Sequence, residues 1–276
     1  MKSYLRTKDY SVSQEEFELL YDPEMEMLVT RPIPENLDEY YQSEDYISHT
    51  DSRKSLVDKV YQTVKKFSFY SKLRLIDKFG GEERRLLDMG AGTGDFLLAA
   101  KSSGWKISGI EPNHDARMRA REKRVELLSE MELLRNQQFD VITLWHVLEH
   151  LPDLENQILK LLEVLEPNGT LVIAVPNFNS YDAKYYKEFW AAFDVPRHLW
   201  HFSRTSIEKL FLKHGLNVVQ VKPLIFDSFY VSLLSEKYKT GRQNFAKALW
   251  IGLRSNIAAW RSKEYSSHIY ILQRAQ

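Results

Sequence analysis

Residues 86–96, LLDMGAGTGDF, decide the fold of this chain. Two leucines and an aspartate precede three glycines at alternate positions, Gly90, Gly92 and Gly94. Apolar residues at helical spacing follow them, so the order predicts a buried strand, a tight turn and then a helix. Glycine suits such a turn because it tolerates positive φ and lets a ligand contact the main chain. The helix that follows directs unpaired N–H groups back toward that ligand.

Two carboxylates near this turn indicate which ligand it holds. A dinucleotide site of the form G-x-G-x-x-G requires a glycine where this chain has Asp95. Asp88, two residues before the first glycine, would repel a pyrophosphate but suits a ligand that carries ammonium and sulfonium groups. Glu111, at the end of the next predicted strand, can accept hydrogen bonds from both hydroxyls of a ribose. S-adenosylmethionine combines these features and has no phosphate.

The pattern Asp-x-Gly-x-Gly-x-Gly, followed by an acid that ends the second strand, resembles the class I S-adenosylmethionine-dependent methyltransferases. The resemblance covers most of residues 84–222. It implies S-adenosylmethionine as the methyl donor. The residues assigned to binding it are Asp88, Gly90, Gly92, Gly94, Glu111, Trp145 and His146.

Strands and helices alternate after residue 84, which predicts an α/β, doubly wound, Rossmann-like sheet. We expect seven strands, mostly parallel, the third being the weak candidate RVELL at 124–128; the resemblance implies an antiparallel last strand. A hairpin and a helical cap are expected over 1–83, and the methyltransferase domain over 84–276. A helical lid at about 227–262 is expected before the last strand.

Composition narrows the classes of function. The chain has 276 residues, with 38 basic residues balanced by 38 acidic ones, so no global charge attracts nucleic acid. The absence of cysteine excludes disulfides, thiolate metal sites and a cysteine nucleophile. Neither a signal-peptide core nor an apolar run of about 20 residues is present, so we expect a soluble, cytoplasmic protein.

The stretch LWHVLEHLPD, residues 144–153, follows the fourth predicted strand. Ligands of doubly wound sheets bind at the carboxyl ends of strands, so Trp145 and His146 should line the methyl-donor pocket. The stretch resembles the ubiquinone-biosynthesis O-methyltransferase branch, which has a glutamate in place of His146. Histidine suits deprotonation of a phenolic hydroxyl, which makes His146 the first candidate for the base. No metal is assigned, although a divalent ion bound by His146, Glu149 and His150 stays open as an alternative.

Residues 189–203, FWAAFDVPRHLWHFS, form a second candidate group in the connection after the fifth strand. This run resembles an uncharacterised bacterial clade of the same methyltransferases. An insertion here can exclude water and shape an acceptor pocket. His198 is the second candidate base, and the predicted substrate contacts are Arg197, His201 and, from the segment before the first strand, Tyr46. Arg197 could instead pair with Asp194 as internal scaffolding.

Residues 237–263 contain seven basic residues and no acidic one. A stripe of apolar residues at helical spacing runs through them: Phe245, Leu249, Leu253, Ile257 and Trp260. We expect this helix to pack its stripe on the sheet as a lid, with its charges in solvent. Weak contact with a membrane surface is the alternative. No nucleic-acid partner is expected, and no oligomeric state is assigned.

These observations predict a methyltransferase that acts on a small-molecule acceptor and transfers the methyl group to oxygen. A non-catalytic S-adenosylmethionine-binding scaffold is the first alternative, because a cofactor site can persist without acceptor chemistry. An NAD(P)-dependent oxidoreductase is the second, although Asp95 occupies the position of its third glycine.

Overall fold

A computed structural model describes residues 1–41, 67–134 and 137–275 of the chain. The described residues form two compact units. One, which we call the N-terminal-sheet unit, lies within Met1–Tyr46, Leu148–Pro152 and Ala174–Tyr270. The other, which we call the glycine-turn unit, lies within Ile47–Val147, Asp153–Ile173 and Ile271–Gln276.

The strands, in chain order, are β1 (Lys2–Lys8), β2 (Glu16–Asp22), β3 (Met27–Arg31), β4 (Arg85–Met89), β5 (Lys106–Ile110), β6 (Phe139–Trp145), β7 (Leu165–Pro176), β8 (Trp200–His201), β9 (Leu216–Pro223) and β10 (Ser267–Arg274). The helices are α1, whose described part covers 67–76, then α2 (Asp95–Ser102), α3 (His114–Glu122), α4 (Leu154–Val164), α5 (Tyr181–Tyr186), α6 (Arg204–Leu212), α7 (Asp227–Thr240) and α8 (Phe245–Ser262). Short 3₁₀ helices at Leu37–Tyr41, Met131–Leu134, Leu148–His150, Lys187–Phe189 and Ala191–Phe193 join some of them.

The glycine-turn unit is built around β4, which pairs in parallel with β5 on one side and β6 on the other. Leu86 and Leu87 of β4 are fully buried, as expected for a parallel strand covered on both faces. The register places Asp88 opposite Gly109 of β5 and Thr143 of β6. The carboxyl end of β4 therefore carries the predicted aspartate between two neighbouring strands.

The N-terminal-sheet unit contains an antiparallel sheet in the order β1, β2, β3, β8. The predicted hairpin corresponds to β2 and β3, and the Asp22 carboxylate accepts the amides of Glu24 and Met25 in its turn. The sheet is larger than predicted because β1 and β8 join the hairpin. Its apolar face packs with side chains of the segment that follows β7, among them Phe178, Tyr186, Trp190 and Phe193.

The second sheet is mixed and has six strands, in the order β5, β4, β6, β7, β10, β9. The predicted third strand, RVELL, is wrong: the structure has only an isolated parallel bridge between Leu128 and Ile110 there. Two main-chain hydrogen bonds attach Leu128, one to Gly109 and one to Glu111. Arg124, at φ 62°, departs from strand geometry at the start of the segment, which leaves too short an extended run for a ladder.

The helices predicted before the last strand are present as α7 and α8. The expectation that the apolar stripe of α8 packs against the protein is wrong. Phe245, Leu249, Leu253, Ile257 and Trp260 are all exposed. α8 instead buries the opposite side, formed by Ala248, Ile251, Gly252, Ser255 and Ala259, because small residues allow it to approach α7 closely. A Cβ on Gly252 would lie 3.0 Å from the Phe229 Cα of α7.

Among the residues that the structure describes, the helices are too short or too polar to cross a membrane.

Candidate functional site

The glycine turn follows β4 as predicted. Gly90 and Gly92 adopt φ of 64° and 54°, in the left-handed region that favours glycine. A Cβ on Gly90 would lie 2.5 Å from Cγ2 of Val147, so packing also disfavours a side chain there. A Cβ on Gly92 would meet no described atom within 4 Å. Gly92 therefore borders open space, as a turn whose main chain contacts a ligand requires.

Glu111 lies against this turn. Its Oε2 accepts the amide of Gly92 at 2.8 Å, and its Oε1 accepts the amide of Asn113 at 2.9 Å. A carboxylate can accept about four hydrogen bonds, so these two leave lone pairs for further donors. The carboxylate that the sequence assigns to a ribose is thus positioned by the same turn that would contact the ligand.

Asp88 is buried beneath the turn. Its Oδ1 accepts a hydrogen bond from Oγ1 of Thr143 at 2.5 Å. Burial raises the pKa of Asp88 to about 7, against the opposing effects of the Thr143 hydrogen bond and the Lys72 charge. Near neutral pH this carboxyl therefore exchanges between its two protonation states, and a cation bound nearby would favour the ionised one.

Trp145 ends β6 in the same unit. Its ring makes an edge contact with Phe96 of α2, with centroids 5.6 Å apart, and Lys72 Nζ lies 4.2 Å from the centroid of the indole. Its indole Nε1 is buried and forms no hydrogen bond with any part of the chain that the structure describes. A buried donor and the open space at Gly92 both fit a polar ligand such as S-adenosylmethionine.

His146 follows Trp145 and has φ 57°, which is uncommon for a residue other than glycine. Strained backbone of this kind often marks functional sites, because the surrounding structure must compensate for it. His146 belongs to the glycine-turn unit, together with Asp88, Gly92, Glu111 and Trp145. The structure therefore places the predicted donor-binding residues and the first candidate base in one unit.

Arg197, in the N-terminal-sheet unit, is buried and fully engaged. Its guanidinium donates to both carboxylate oxygens of Asp194, at 2.6 and 3.1 Å, and to Asp9 at 3.1 Å. It also donates to the main-chain oxygen of Tyr40. Burial would raise the pKa of Asp194, but the Arg197 charge outweighs it and holds that pKa below its usual value. These contacts favour internal scaffolding over capture of an anionic acceptor.

His201 is similarly committed to the protein interior. Its Nε2 lies 2.9 Å from Oγ1 of Thr30, and that hydroxyl donates to the carbonyl oxygen of His198. Burial, with a smaller contribution from His198, lowers the pKa of His201 well below its usual value. The neutral ring therefore connects β8 to β3.

His150 and His198 lie beside each other, with ring centroids 4.5 Å apart. Nδ1 of His198 is 2.9 Å from the carbonyl oxygen of Ala192, and Nδ1 of His150 is 3.1 Å from that of Arg197. Because a carbonyl only accepts, these contacts are made by the tautomer that carries the proton on Nδ1 and the lone pair on Nε2, and the Tyr41 hydroxyl oxygen, 3.0 Å from Nδ1 of His150, then accepts as well. Burial and His198 lower the pKa of His150 to about 4.

Glu149 completes this cluster. Its side chain is buried, and one oxygen is 4.0 Å from Nε2 of His198. One ligand atom from each of Glu149, His150 and His198 lies within 4.8 Å of the others. The alternative metal site considered from the sequence consisted of His146, Glu149 and His150. Among the described residues, Glu149 and His150 are instead grouped with His198, and His146 belongs to the glycine-turn unit.

Some residues of this region were not predicted. Thr143 and Lys72 act on Asp88, and Asp9 binds Arg197 from the N-terminal sheet. Thr143 had a signal, because it is a hydroxyl in the otherwise apolar run VITLW. Lys72 and Asp9 are distant in sequence from Asp88 and Arg197, and no sequence pattern indicated their roles. Tyr46, a predicted substrate contact, lies outside the described residues.

The comparison with protein families agrees with this geometry. A family model described as a methyltransferase domain matches residues 64–221. The ubiquinone biosynthesis O-methyltransferase of Histophilus somni is 32% identical over 112 residues, covering 36% of this chain and 47% of that protein. The chain therefore spans about half the length of the curated relatives it matches.

Solved structures share the fold at low sequence identity. The magnesium protoporphyrin IX methyltransferase of Synechocystis with bound S-adenosylhomocysteine has a TM-score of 0.57 and 13% identity, covering 86% of this chain and 97% of that one. An S-adenosylmethionine-dependent methyltransferase from Thermotoga maritima has a TM-score of 0.53 and 19% identity, covering 79% and 94%. At these identities the likeness establishes the fold alone.

Proposed function

The chain belongs to the family of S-adenosylmethionine-dependent methyltransferase domains, and we propose that it methylates a hydroxyl oxygen of a small-molecule acceptor. S-adenosylmethionine supplies an electrophilic methyl group on a positively charged sulfur. As the acceptor oxygen bonds to the methyl carbon, the bond from carbon to sulfur breaks, and the hydroxyl proton passes to a base. Orienting the two reactants accounts for most of the acceleration in such a displacement.

The observation that carries this proposal is the convergence of Gly92, Glu111 and Asp88 at the end of β4. The open space at Gly92 would admit the amino-acid end of the donor, and Asp88 would favour its cationic groups. The remaining lone pairs of Glu111 would accept the ribose hydroxyls. Gly90 and Gly94 would shape the turn, and the indole N–H of Trp145 would donate a hydrogen bond to S-adenosylmethionine.

We assign the base to His146, because it shares the glycine-turn unit with these residues. His198 is the second candidate and lies in the N-terminal-sheet unit. A neutral imidazole can accept a phenolic proton. Oxygen is preferred over nitrogen as the acceptor because the resemblance is to an O-methyltransferase branch.

His146→Ala tests this role. Turnover should fall about 100-fold or more, whereas S-adenosylmethionine affinity should change little, since a base acts mainly in the transition state. Both are measured on the same preparation, by transfer of labelled methyl groups to a panel of phenols and amines and by calorimetry. His114→Ala, an exposed histidine on α3, is the matched control and should retain the wild-type rate. An unchanged rate in His146→Ala would exclude the role.

The same panel separates the alternative functions. Methylated phenols support the proposal, and methylated amines alone would change the acceptor to nitrogen. Binding of S-adenosylmethionine without transfer to any acceptor favours the non-catalytic scaffold. Binding of NADH in place of S-adenosylmethionine would favour the oxidoreductase.

For the acceptor contacts, we propose that Tyr46 remains the substrate candidate of the three predicted from sequence. Arg197 and His201 are engaged by Asp194 and Thr30, so we assign both to positioning of the segment between β7 and α6. Removing Arg197 should therefore reduce the stability of the protein.

We also propose that α8 contacts an anionic membrane surface. Its outward face is apolar, and Leu249 and Trp260 are 62% and 76% exposed. The run 237–263, which covers the end of α7 and all of α8, supplies seven basic residues and no acidic one; Lys247 pairs with Glu236, and the run stays net positive, so its charge complements anionic lipid. Exposed tryptophan beside basic residues is typical of helices that lie in a membrane interface.

Co-sedimentation with vesicles tests this contact. Wild-type protein should bind vesicles rich in phosphatidylglycerol and should bind phosphatidylcholine vesicles at least tenfold more weakly, with the difference reduced by salt. Leu249→Ser combined with Trp260→Ser should abolish binding. Leu212→Ser, on α6 and 61% exposed, is the matched control and should bind like wild type. Equal binding by all three proteins, or self-association through α8 in light scattering, would contradict the proposal.

A further inference from the structure

The cluster formed by Glu149, His150 and His198 contains the donor set of a metal site. We propose that these three side chains bind a divalent transition-metal ion of the Zn²⁺ type. Two imidazoles and one carboxylate are ligands that zinc and neighbouring first-row ions take in proteins. The site lies wholly within the N-terminal-sheet unit, and none of its three residues is among those that we assign to the methyl donor.

The hydrogen bonds around the two histidines prepare them for coordination. The carbonyl oxygens of Ala192 and Arg197 hold the proton on Nδ1 of His198 and His150, which leaves the Nε2 lone pairs for a ligand. The Tyr41 hydroxyl, 3.0 Å from Nδ1 of His150, further fixes that ring. Metal-binding histidines usually donate their other ring N–H to a carbonyl or carboxylate in this way, which fixes tautomer and orientation.

The charge of the surroundings favours a cation. Two carboxylates lie beside the histidines, with Glu149 4.0 Å and Asp194 3.9 Å from Nε2 of His198, and Arg197 pairs with both Asp194 and Asp9. These four side chains sum to two negative charges when ionised. A divalent cation would offset them in a buried environment, where uncompensated charge is costly.

The distances require only a small adjustment. The ligand atoms lie within 4.8 Å of one another. Zn–N bonds of about 2.0–2.1 Å in a tetrahedral site place ligand atoms about 3.4 Å apart, so they would close by about an ångström on binding. Oδ2 of Asp194, 3.9 Å from Nε2 of His198, is held by Arg197, and the fourth position is therefore left to an oxygen ligand such as water.

This site bears on the choice of base. A metal on Nε2 of His198 would occupy the lone pair that a base needs, so the proposal assigns proton acceptance to His146 alone. The test below uses neither methyl donor nor acceptor. Its failure would therefore be distinguishable from failure of the proposed methyl transfer.

Calorimetric titration of the chelator-treated full chain with Zn²⁺ tests the site. We expect one ion per chain, bound with a Kd of about a micromolar or tighter, and a higher Tm in its presence. Glu149→Gln, which keeps the shape of the side chain, and His198→Gln should each weaken binding about 100-fold and lose the Zn²⁺-dependent rise in Tm. His114→Gln, an exposed histidine outside the cluster, should behave like wild type.

Absorption of the Co²⁺-loaded wild-type protein keeps the proposal testable if either variant folds poorly. Visible bands of a four- or five-coordinate site with nitrogen and oxygen ligands would support it, and the spectrum of hexaaquo Co²⁺ would overturn it. Failure of the wild type to bind Zn²⁺, equal binding by wild type and Glu149→Gln, or loss of binding in His114→Gln would overturn it as well.

Discussion

Asp88 shows how one residue links burial, charge and ligand binding. The sequence predicted a carboxylate suited to the cationic groups of the donor. The structure adds that burial raises the pKa of Asp88 to about 7, with Thr143 and Lys72 opposing the rise. Donor binding at Asp88 should therefore be coupled to proton release.

We predict that S-adenosylmethionine binds up to about tenfold more tightly at pH 8 than at pH 6. A cation favours the ionised carboxylate, whose fraction rises from about a tenth to about nine-tenths across a pKa near 7. Calorimetry in two buffers of different ionisation enthalpy should detect release of about half a proton per donor at pH 7. In Asp88→Asn both effects should disappear, leaving only the titration of the donor's own amino group. The same pH dependence in Asp88→Asn would contradict the assignment.

The residue types of the proposed donor site were predicted from the sequence because local chemistry selects them. Gly90, Gly92, Asp88 and Glu111 were predicted from the turn and the strand ends, which short-range pattern determines. The role of Arg197 was left open between two alternatives. Its partner Asp9 lies 188 residues away, and only tertiary structure brings the two together.

At the scale of elements, the turn between β4 and α2 combines packing with ligand access. Gly90 and Gly92 both have positive φ, but only Gly90 is crowded by a neighbour, Val147. Stability and binding should therefore separate between the two positions.

Gly90→Ala should destabilise the protein by about 2–4 kcal/mol, because backbone strain adds to a steric clash. Gly92→Ala is the matched variant and should cost only the strain of about 1 kcal/mol, while its methyl group projects into the space that the donor would use. Urea unfolding measures the first effect, and calorimetry with S-adenosylmethionine the second. Equal losses of stability, or wild-type affinity in Gly92→Ala, would contradict this account.

Elements with strong periodicity were predicted well, and the face of α8 was not. The helix itself was predicted from a long run of apolar residues at helical spacing, but two of its faces carry residues that can be buried. Ala248, Gly252 and Ser255 permit close approach to α7, so the small side is buried and the large apolar side is exposed. Periodicity records the existence of an apolar stripe, whereas tertiary packing decides which surface it faces. Residues 124–128, whose strand pattern is weak, form only an isolated β-bridge, between Leu128 and Ile110.

At the scale of the whole molecule, the buried ion pair between Asp9 and Arg197 joins the first strands to the segment before β8. Burial would raise the pKa of Asp9, but the amide of Ser13 and the Arg197 guanidinium outweigh it and lower that pKa to about 2. Because the folded-state pKa is depressed, the stabilisation is complete above about pH 4 and is lost as the pH falls toward 2.

We therefore predict that the free energy of unfolding of the wild type falls between pH 4 and pH 2 more steeply than that of Asp9→Asn. At pH 7 the variant should be less stable by about 1.5–3 kcal/mol, since it loses a charge-assisted hydrogen bond to Arg197. Urea titrations at several pH values measure both quantities. Parallel pH profiles for the two proteins would contradict a stabilising role for ionised Asp9.

The fold class, the cofactor and the order of most elements were accessible from sequence, since each rests on contiguous pattern. The four-stranded N-terminal sheet was not, because β8 reaches it from residues 200–201. The histidine and glutamate cluster was accessible only in part. Glu149 and His150 are neighbours in sequence, whereas His198 arrives through the fold.

Calorimetric titration of the purified protein with S-adenosylhomocysteine tests the central claim most directly. We predict one site of micromolar affinity in the wild type and at least tenfold weaker binding in Glu111→Ala, because two charge-assisted bonds to the ribose are lost. The Tm of the ligand-free variant controls for loosening of the turn, since Glu111 also accepts the amide of Gly92. Absence of binding by the wild type, or equal affinity in the two folded proteins, would contradict the assignment of this turn to the methyl donor.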